Sequence, residues 1–273
     1  MFVSATARAY LLLTLTSLCF GANTTFAKLA VGEVSPMMMV ALRWLVVVVL
    51  LVILNTKTLR RDWPALRPQL GFLFLMGGFG LAAFNGLFYI AAHHTTAINM
   101  GIISGMLPVF VLLGALLAYR TPVQKLQWVG VGLSLVGVIV IASAGEVASL
   151  LHFRLNDGDL LVVVATLLYA GYTLGLRRRP ESSAIGLFTV LAASAFLASW
   201  PMVAVEAWLG EFQVPTLRGW VLVGLVALFP SFLAQIMFIR GVEIIGPGRA
   251  GIFVNLMPVF AAAIAVIYLG EQF

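Results

Sequence analysis

Polar side chains recur at helical spacing inside apolar stretches of this sequence. Asn85 and Tyr89 stand four residues apart, and so do Ser231 and Gln235, so each pair falls on one face of a helix. Amide and phenol groups in such positions can hydrogen-bond the polar ends of a small molecule, while phenyl faces hold its flat apolar part. The candidate contacts for such a molecule are Asn23, Phe84, Asn85, Tyr89, Ser104, Tyr169, Tyr172, Gln235 and Asn255.

Ordinary helix packing is the competing explanation for polar groups of this kind. Ser and Thr in apolar helices often bond a carbonyl one turn back or join two helices, and we expect that role for Thr16, Thr166 and Ser231. Side-chain amides complete their hydrogen bonds within a helix less easily, which favours a cavity-lining position for Asn85 and Gln235. Tyrosines also mark membrane interfaces.

The elements that position these residues are helices in a lipid environment. The chain has 273 residues, of which 62% are hydrophobic and 10% charged, with a mean hydropathy of +1.08. Soluble domains carry about 25% charge, whereas apolar runs of about 20 residues cross a bilayer as helices. The runs lack the alternation of barrel strands. Nine helices are predicted, at about 9–30, 37–54, 70–92, 96–118, 126–144, 159–176, 184–209, 217–239 and 248–269.

The net charge of +6 has a topological explanation. With the N-terminus in the cytoplasm, 12 of the 16 basic residues fall in cytoplasmic segments, as the positive-inside rule requires. The basic balance therefore does not predict a nucleic-acid partner, and the expected surroundings are the lipid bilayer. The cytoplasmic residues are Arg8, Lys57, Arg60, Arg61, Arg67, Arg120, Lys125, Arg177, Arg178, Arg179, Arg240 and Arg249.

The sequence repeats itself at an offset of 150 residues. Leu107–Phe110 returns as Met257–Phe260, and Asn85 pairs with Gln235. Residues 1–145 form a first repeat of five helices, 146–158 a polar linker, and 159–273 a second repeat. An odd number of spans makes the second repeat enter the membrane from the other side, so the two are inverted around a central cavity. The counterpart of the helix at 126–144 is not in the chain, and we expect a tenth helix in a longer native protein.

This layout resembles the drug/metabolite transporter superfamily, of the EamA type. The resemblance rests on two five-helix repeats, on Pro-Val-Phe at Pro108 and Pro258, and on the closing Leu269–Glu271. It implies a transporter with helices 1, 3, 4, 6, 8 and 9 around the cavity and helices 5 and 10 outside. The branch that the chain resembles exports aromatic amino acids from bacterial cells. The resemblance implies an inner-membrane location.

Two prolines predict bending of the helices that contain them. Pro108 and Pro258 are expected in mid-helix, where each removes an amide hydrogen bond and produces a kink. Gly101 and Gly251 lie about two turns earlier and permit close approach of the helices. We expect these four residues to act as pivots for alternating access, with a rigid kink as the alternative.

Charged groups are scarce within the predicted spans. No carboxylate lies at the centre of a span, which disfavours a proton-coupled exporter of cationic drugs. Arg43 lies within a span, and we expect it to snorkel or to pair structurally, with binding of a substrate carboxylate as the alternative. His93 and His94 are expected at the surface. No metal site or cofactor is predicted, because no ligand set has suitable spacing.

The sequence therefore predicts a non-enzymatic exporter of amino acids, aromatic or neutral, or of related metabolites. Its cavity walls are expected to be uncharged, and transport is expected to be facilitated diffusion without ion coupling. A carrier of nucleotide sugars or phosphate esters is an alternative that would need several cavity-facing cations. An intramembrane enzyme would need paired catalytic groups at membrane depth, and the spans contain none. The sequence leaves the choice between monomer and dimer open.

Overall fold

A computed structural model describes residues 4–120, 129–130, 132–133, 136, 156–245, 250 and 253–271. In these parts of the chain every regular element is a helix. The helices are α1 (Ala5–Ala30), α2 (Pro36–Leu66), α3 (Leu70–Gly77), α4 (Phe84–Ala91), α5 (Ala97–Ser104), α6 (Leu107–Tyr119), α7 (Asp157–Gly175), α8 (Ala184–Trp208), α9 (Leu217–Val226), α10 (Ala234–Ile245) and α11 (Met257–Leu269), with π-helical segments at Gly78–Ala83 and Ala227–Leu233.

Six of the described helical stretches are long and apolar enough to cross a membrane. The protein is therefore a polytopic helical membrane protein, as the sequence predicts. α2 continues to Leu66, well past its predicted end near residue 54, because the basic and leucine residues that follow are good helix formers. Asn55, with φ −130°, marks a kink at that point. The predicted helix at 126–144 and most of the predicted linker 146–158 lie outside the described residues.

The chain reverses direction between α2 and α3, at a 3-10 turn formed by Arg67–Gln69. Helical geometry runs from Pro36 to Ala91 over 56 residues, which is more than twice the length of one crossing. Arg43 on α2 nevertheless hydrogen-bonds Asn85 on α4, so the two helices lie side by side. The stretch therefore contains two antiparallel spans.

Local backbone features recur at the 150-residue offset of the sequence. The π-helical segments Gly78–Ala83 and Ala227–Leu233 overlap at that offset. α6 and α11 each start directly after a two-residue helix break and end at a left-handed residue, Arg120 (φ 50°) and Gly270 (φ 66°). The recurrence is expected of two related halves, and their inverted orientation stays a prediction.

The two prolines lie in a different part of their helices from the one that the sequence predicts. Pro108 and Pro258 occupy the first turn of α6 and α11 instead of a helix interior. In a first turn the N–H that proline lacks has no intrahelical partner anyway, so the prolines remove no interior hydrogen bond. The break lies just before them, at residues 105–106 and 255–256. The expected mid-helix kink is therefore wrong in its position, and each proline starts a second half-helix.

The helices pack around a cavity that lies between the N-terminal and C-terminal parts of the chain. α2 packs along α8, α1 against α10 and α11, and α7 against α4 and α6. α5 and α11 approach closely, because a Cβ on Gly101 would lie 2.5 Å from the Cβ of Ala261. Trp44 and Phe88 are among the largest fully buried side chains.

Candidate functional site

A cavity of about 910 Å³ occupies the centre of the helix bundle. Most of the residues that the sequence predicts as ligand contacts are brought together there. The predicted residues that line the cavity are Asn23, Phe84, Asn85, Ser104, Tyr169, Tyr172, Gln235 and Asn255.

Tyr89 is the predicted contact that does not line the cavity. Its side chain is 2% exposed and lies behind the wall. The Tyr89 hydroxyl accepts a hydrogen bond from Arg43 Nη1 at 3.0 Å and lies 3.3 Å from Asn23 Oδ1, to which it donates. Tyr89 therefore supports two wall residues instead of facing the cavity.

Arg43 is the centre of a polar cluster in the cavity wall. Its Nη1 donates to Asn85 Oδ1 at 2.6 Å, and its Nε and Nη2 donate to the Ser231 hydroxyl at 3.0 and 2.6 Å. Its Cζ lies 5.4 Å from the ring centroid of Trp44. We call Arg43, Asn85, Tyr89 and Ser231 the arginine cluster.

The charge of this cluster is uncompensated among the described residues. Arg43 is 4% exposed, and the partners that accept its hydrogen bonds are an amide, a phenol and a hydroxyl. Burying an ion without a counter-ion costs several kcal/mol even after relaxation, and a cation–π contact offsets only about 0.5–2 kcal/mol. The expectation that the cavity walls are uncharged is therefore wrong.

Two helix irregularities position the cluster. Asn85 follows the π-helical segment Gly78–Ala83, and Ser231 lies within Ala227–Leu233. The wider turn lets the Ser231 hydroxyl donate to the carbonyl of Val226, five residues earlier, at 2.6 Å. Its oxygen is then free to accept from Arg43. Single π turns inside α-helices frequently mark functional sites.

An aromatic wall lies beside the cluster. The ring of Tyr169 stacks at an angle against Phe84, 5.0 Å between centroids, and against Tyr172, 5.3 Å away. Phe88 continues the wall 5.8 Å from Phe84. The cavity therefore presents flat apolar faces next to the arginine cluster.

The cavity reaches one end of the bundle, which we call the mouth. Exposed Arg179 and Glu243 line it there, one after α7 and one near the end of α10. Glu243 also accepts a hydrogen bond from Arg240 at 3.0 Å. A solute can therefore reach the cavity from the end of the bundle where these residues lie.

The opposite end of the bundle is held together by polar contacts, and we call it the closed end. The Thr95 hydroxyl donates to Asp159 Oδ1 at 2.5 Å, and Asn99 Nδ2 donates to the same oxygen at 3.3 Å. Lys28 Nζ donates to the carbonyls of Ala92 and Thr95 at 2.7 and 2.8 Å. These residues do not line the cavity.

Two of the predicted pivot residues, Gly101 and Pro258, lie where α5 and α11 cross. Pro108 lines the cavity. A Cβ on Gly105 would lie 2.5 Å from the Cγ of Pro258, and Gly101 packs on Ala261. Gly251 lies outside the described residues. The structure therefore brings Gly101 and Pro258 to one helix crossing, while Pro108 lies in the cavity wall.

The described residues contain no group of His, Cys, Asp and Glu that could hold a metal ion. His93 and His94 are exposed in the turn after α4, as the sequence predicts. Partial burial lowers the pKa of His93, and nearby His94 and Lys28 act in the same direction.

Comparison with known proteins decides the class. The model of the EamA-like transporter family matches residues 7–143 and again residues 156–273. The chain belongs to the EamA-like transporter family. The resemblance that the sequence analysis describes is confirmed at family level, and the protein is a membrane transporter.

Relatives of this chain are themselves named as transporters. The uncharacterized transporter YetK of Bacillus subtilis (strain 168) is 27% identical over 269 residues, covering 97% of this chain and 81% of YetK. The uncharacterized inner membrane transporter YedA of Escherichia coli (strain K12) is 28% identical over 257 residues, covering 92% of this chain and 80% of YedA. A protein crystal structure matches with a TM-score of 0.66 at 18% identity, covering 96% of this chain and 88% of that one, and supports the fold.

Sequence reasoning missed some residues of this EamA-like site. Helix packing was the favoured role for Ser231, yet its hydroxyl both donates to a backbone carbonyl and accepts from Arg43. Thr16 does what was expected, since its hydroxyl lies 2.9 Å from the carbonyl of Leu12 and 3.2 Å from that of Ala234. The signal for Ser231 was its spacing of four residues from Gln235.

Proposed function

We propose that this EamA-like transporter exports amino acids with apolar or aromatic side chains, or related small metabolites, through the central cavity. The observation that carries the proposal is the aromatic wall of Phe84, Tyr169 and Tyr172 beside the polar arginine cluster in one cavity. An amphipathic solute with a flat side chain fits such a division.

The size of the cavity suits this class of substrate. Pockets for small molecules have volumes of about 300–1,000 Å³, and this cavity measures about 910 Å³. It accommodates an aromatic amino acid together with water. A nucleotide sugar would fill it and would call for several cations, whereas the described walls present Arg43 and Arg179 with Glu243 near the mouth.

The direction of transport follows from the proposed topology. With the N-terminus in the cytoplasm, the mouth beside Arg177–Arg179 faces the cytoplasm, and the closed end faces outward. The described conformation is then the one that loads substrate from the cell interior, and an inner-membrane location fits it.

The proposed mechanism is alternating access of two inverted repeats. α5 and α11 cross at Gly101, Gly105 and Pro258, and both helix breaks lie at this crossing. Each described carboxylate lies in a loop or near a helix end. Without a titrating acid at mid-membrane, the substrate gradient alone drives transport.

Transport by the purified protein in liposomes tests the proposal. We expect uptake of labelled phenylalanine or tryptophan that is indifferent to an imposed proton gradient. Ser104→Trp, which fills the cavity wall, should abolish uptake, whereas Leu117→Trp, at a position 81% exposed on α6, should not. Gradient-dependent uptake would contradict uncoupled transport, and a lack of uptake of any amino acid would overturn the substrate class.

A further inference from the structure

We infer that the arginine cluster is a carboxylate-binding subsite, and that the substrate's carboxylate, not its ammonium group, is the polar group the transporter requires. The inference deepens the proposed function and rests on it. It takes the alternative role of Arg43, binding of a substrate carboxylate, over the structural role that the sequence favours.

The first support is the hydrogen-bonding capacity of the guanidinium. A guanidinium group has five N–H donors, and Arg43 makes four hydrogen bonds to described residues. One N–H of Nη2 is therefore left without a partner among the described residues. Because Arg43 lines the cavity, an anion there can accept from it.

The second support is the charge balance of the walls. Near Arg43 the described walls contain neutral groups, and the carboxylate of the cavity, Glu243, lies at the exposed mouth. A monoanion therefore neutralises the buried charge and gains a charge-assisted hydrogen bond. An ammonium group finds no acid in this part of the wall.

The third support is a second unpartnered donor beside the first. Trp44 is 2% exposed and lines the cavity, and its indole Nε1–H has no partner among the described residues. Buried donors of this kind are nearly always paired. The two planar side chains lie next to each other, with Arg43 Cζ 5.4 Å from the Trp44 ring centroid.

A single positive charge favours a carboxylate over a phosphate ester, since a phosphate dianion would leave one negative charge unpaired. Asn85 and Ser231 fix the guanidinium from two sides. Its orientation is therefore set before a ligand arrives, which lowers the entropic cost of binding.

Competition among matched ligands tests the subsite in the wild-type protein. The detergent-purified chain is titrated with L-phenylalanine, with 3-phenylpropionate, which lacks the ammonium group, and with phenylalaninamide, which lacks the carboxylate. We expect 3-phenylpropionate to bind about as well as phenylalanine, and the amide to bind about tenfold to a hundredfold more weakly. Phenyl phosphate should bind more weakly than 3-phenylpropionate.

Substitutions at position 43 locate the effect. Arg43→Gln should bind 3-phenylpropionate and the amide equally, and Arg43→Lys should retain part of the preference for the acid. Arg60→Gln, at an exposed position on α2 outside the cavity lining, is the matched control and should retain all of it. The wild-type comparison stands by itself if Arg43→Gln does not fold.

The outcomes separate this inference from the proposed function. Equal binding of phenylalanine and its amide by the wild-type protein overturns the subsite and leaves amino-acid transport standing. Tighter binding of phenyl phosphate than of 3-phenylpropionate overturns the assignment to carboxylates. Binding of none of the phenyl compounds overturns the inference together with the proposed substrate class.

Discussion

Asp62 and Glu206 each accept a backbone N–H at the start of the helix that carries the other. Asp62, near the end of α2, accepts the N–H of Ser183 at 2.9 Å and also the Ser183 hydroxyl, immediately before α8. Glu206, near the end of α8, accepts the N–H of Met37 at 2.9 Å and the Ser35 hydroxyl at 2.6 Å, at the start of α2. The antiparallel pair α2 and α8 is therefore joined at both ends by the same device.

Replacing one of these carboxylates should loosen the helix pair. Asp62→Asn should lower the stability of the folded protein by about 1 kcal/mol, the usual worth of an N-terminal helix cap. Thermal unfolding in detergent measures the change. Glu181→Gln, in the exposed turn between α7 and α8, is the control and should have little effect.

The effect of Asp62 should depend on pH. The hydroxyl of Ser183 is the main cause that lowers the pKa of Asp62 below its ordinary value of 3.8, and Arg61 also contributes. A carboxyl group with a lowered folded-state pKa stabilises the fold above its unfolded pKa, and that contribution is lost as the pH falls through the folded value. The free energies of unfolding of the wild type and of Asp62→Asn should therefore differ at neutral pH and converge in strong acid. A constant difference would contradict this assignment.

Weakening the closed end should favour the conformation that opens there. Asp159→Asn removes the charge that holds Thr95 and Asn99. We expect Ser104→Cys, placed in a Cys19→Ala background, to react faster with an impermeant thiol reagent added from the closed end. Asp157→Asn, two residues earlier and exposed, is the matched control. Equal reaction rates in the two variants would show that these contacts do not hold the end closed.

The crossing of α5 and α11 should not tolerate a larger side chain. In Gly101→Ala the new Cβ lies 2.5 Å from that of Ala261, so the helices must move apart at a cost of about 1–3 kcal/mol. Gly224→Ala should be neutral or stabilising, because nothing lies within 4 Å of its Cβ position. Unfolding measurements on both variants check the difference.

The half-helix breaks should matter for transport more than for stability. Pro108→Ala and Pro258→Ala restore an N–H in the first turn of α6 and α11, which lets each helix propagate across its break. We expect slower transport with an unchanged or raised melting temperature. Pro201→Ala, within α8 and exposed, serves as control. Full transport rates in both variants would remove the pivot hypothesis.

The sequence predicted well what depends on local pattern. The apolar runs predicted the described helices, and the polar amide groups of Asn85 and Gln235 predicted their positions in the cavity wall. It predicted helix ends less well, since α2 continues through charged residues to Leu66. The prolines were expected inside helices because pattern alone does not show that a break precedes them.

The sequence by itself determined that the chain lies in a membrane as helices and which faces of those helices are polar. That follows from the free energy of moving each segment from water into lipid, which is a property of the segment alone. Only the tertiary structure decided which polar groups meet. Arg43 hydrogen-bonds Asn85 and Ser231, which lie 42 and 188 residues away in the sequence. Whether the cavity wall carries a charge depends on such contacts, because the free energy of a buried ion depends on the groups that pair with it.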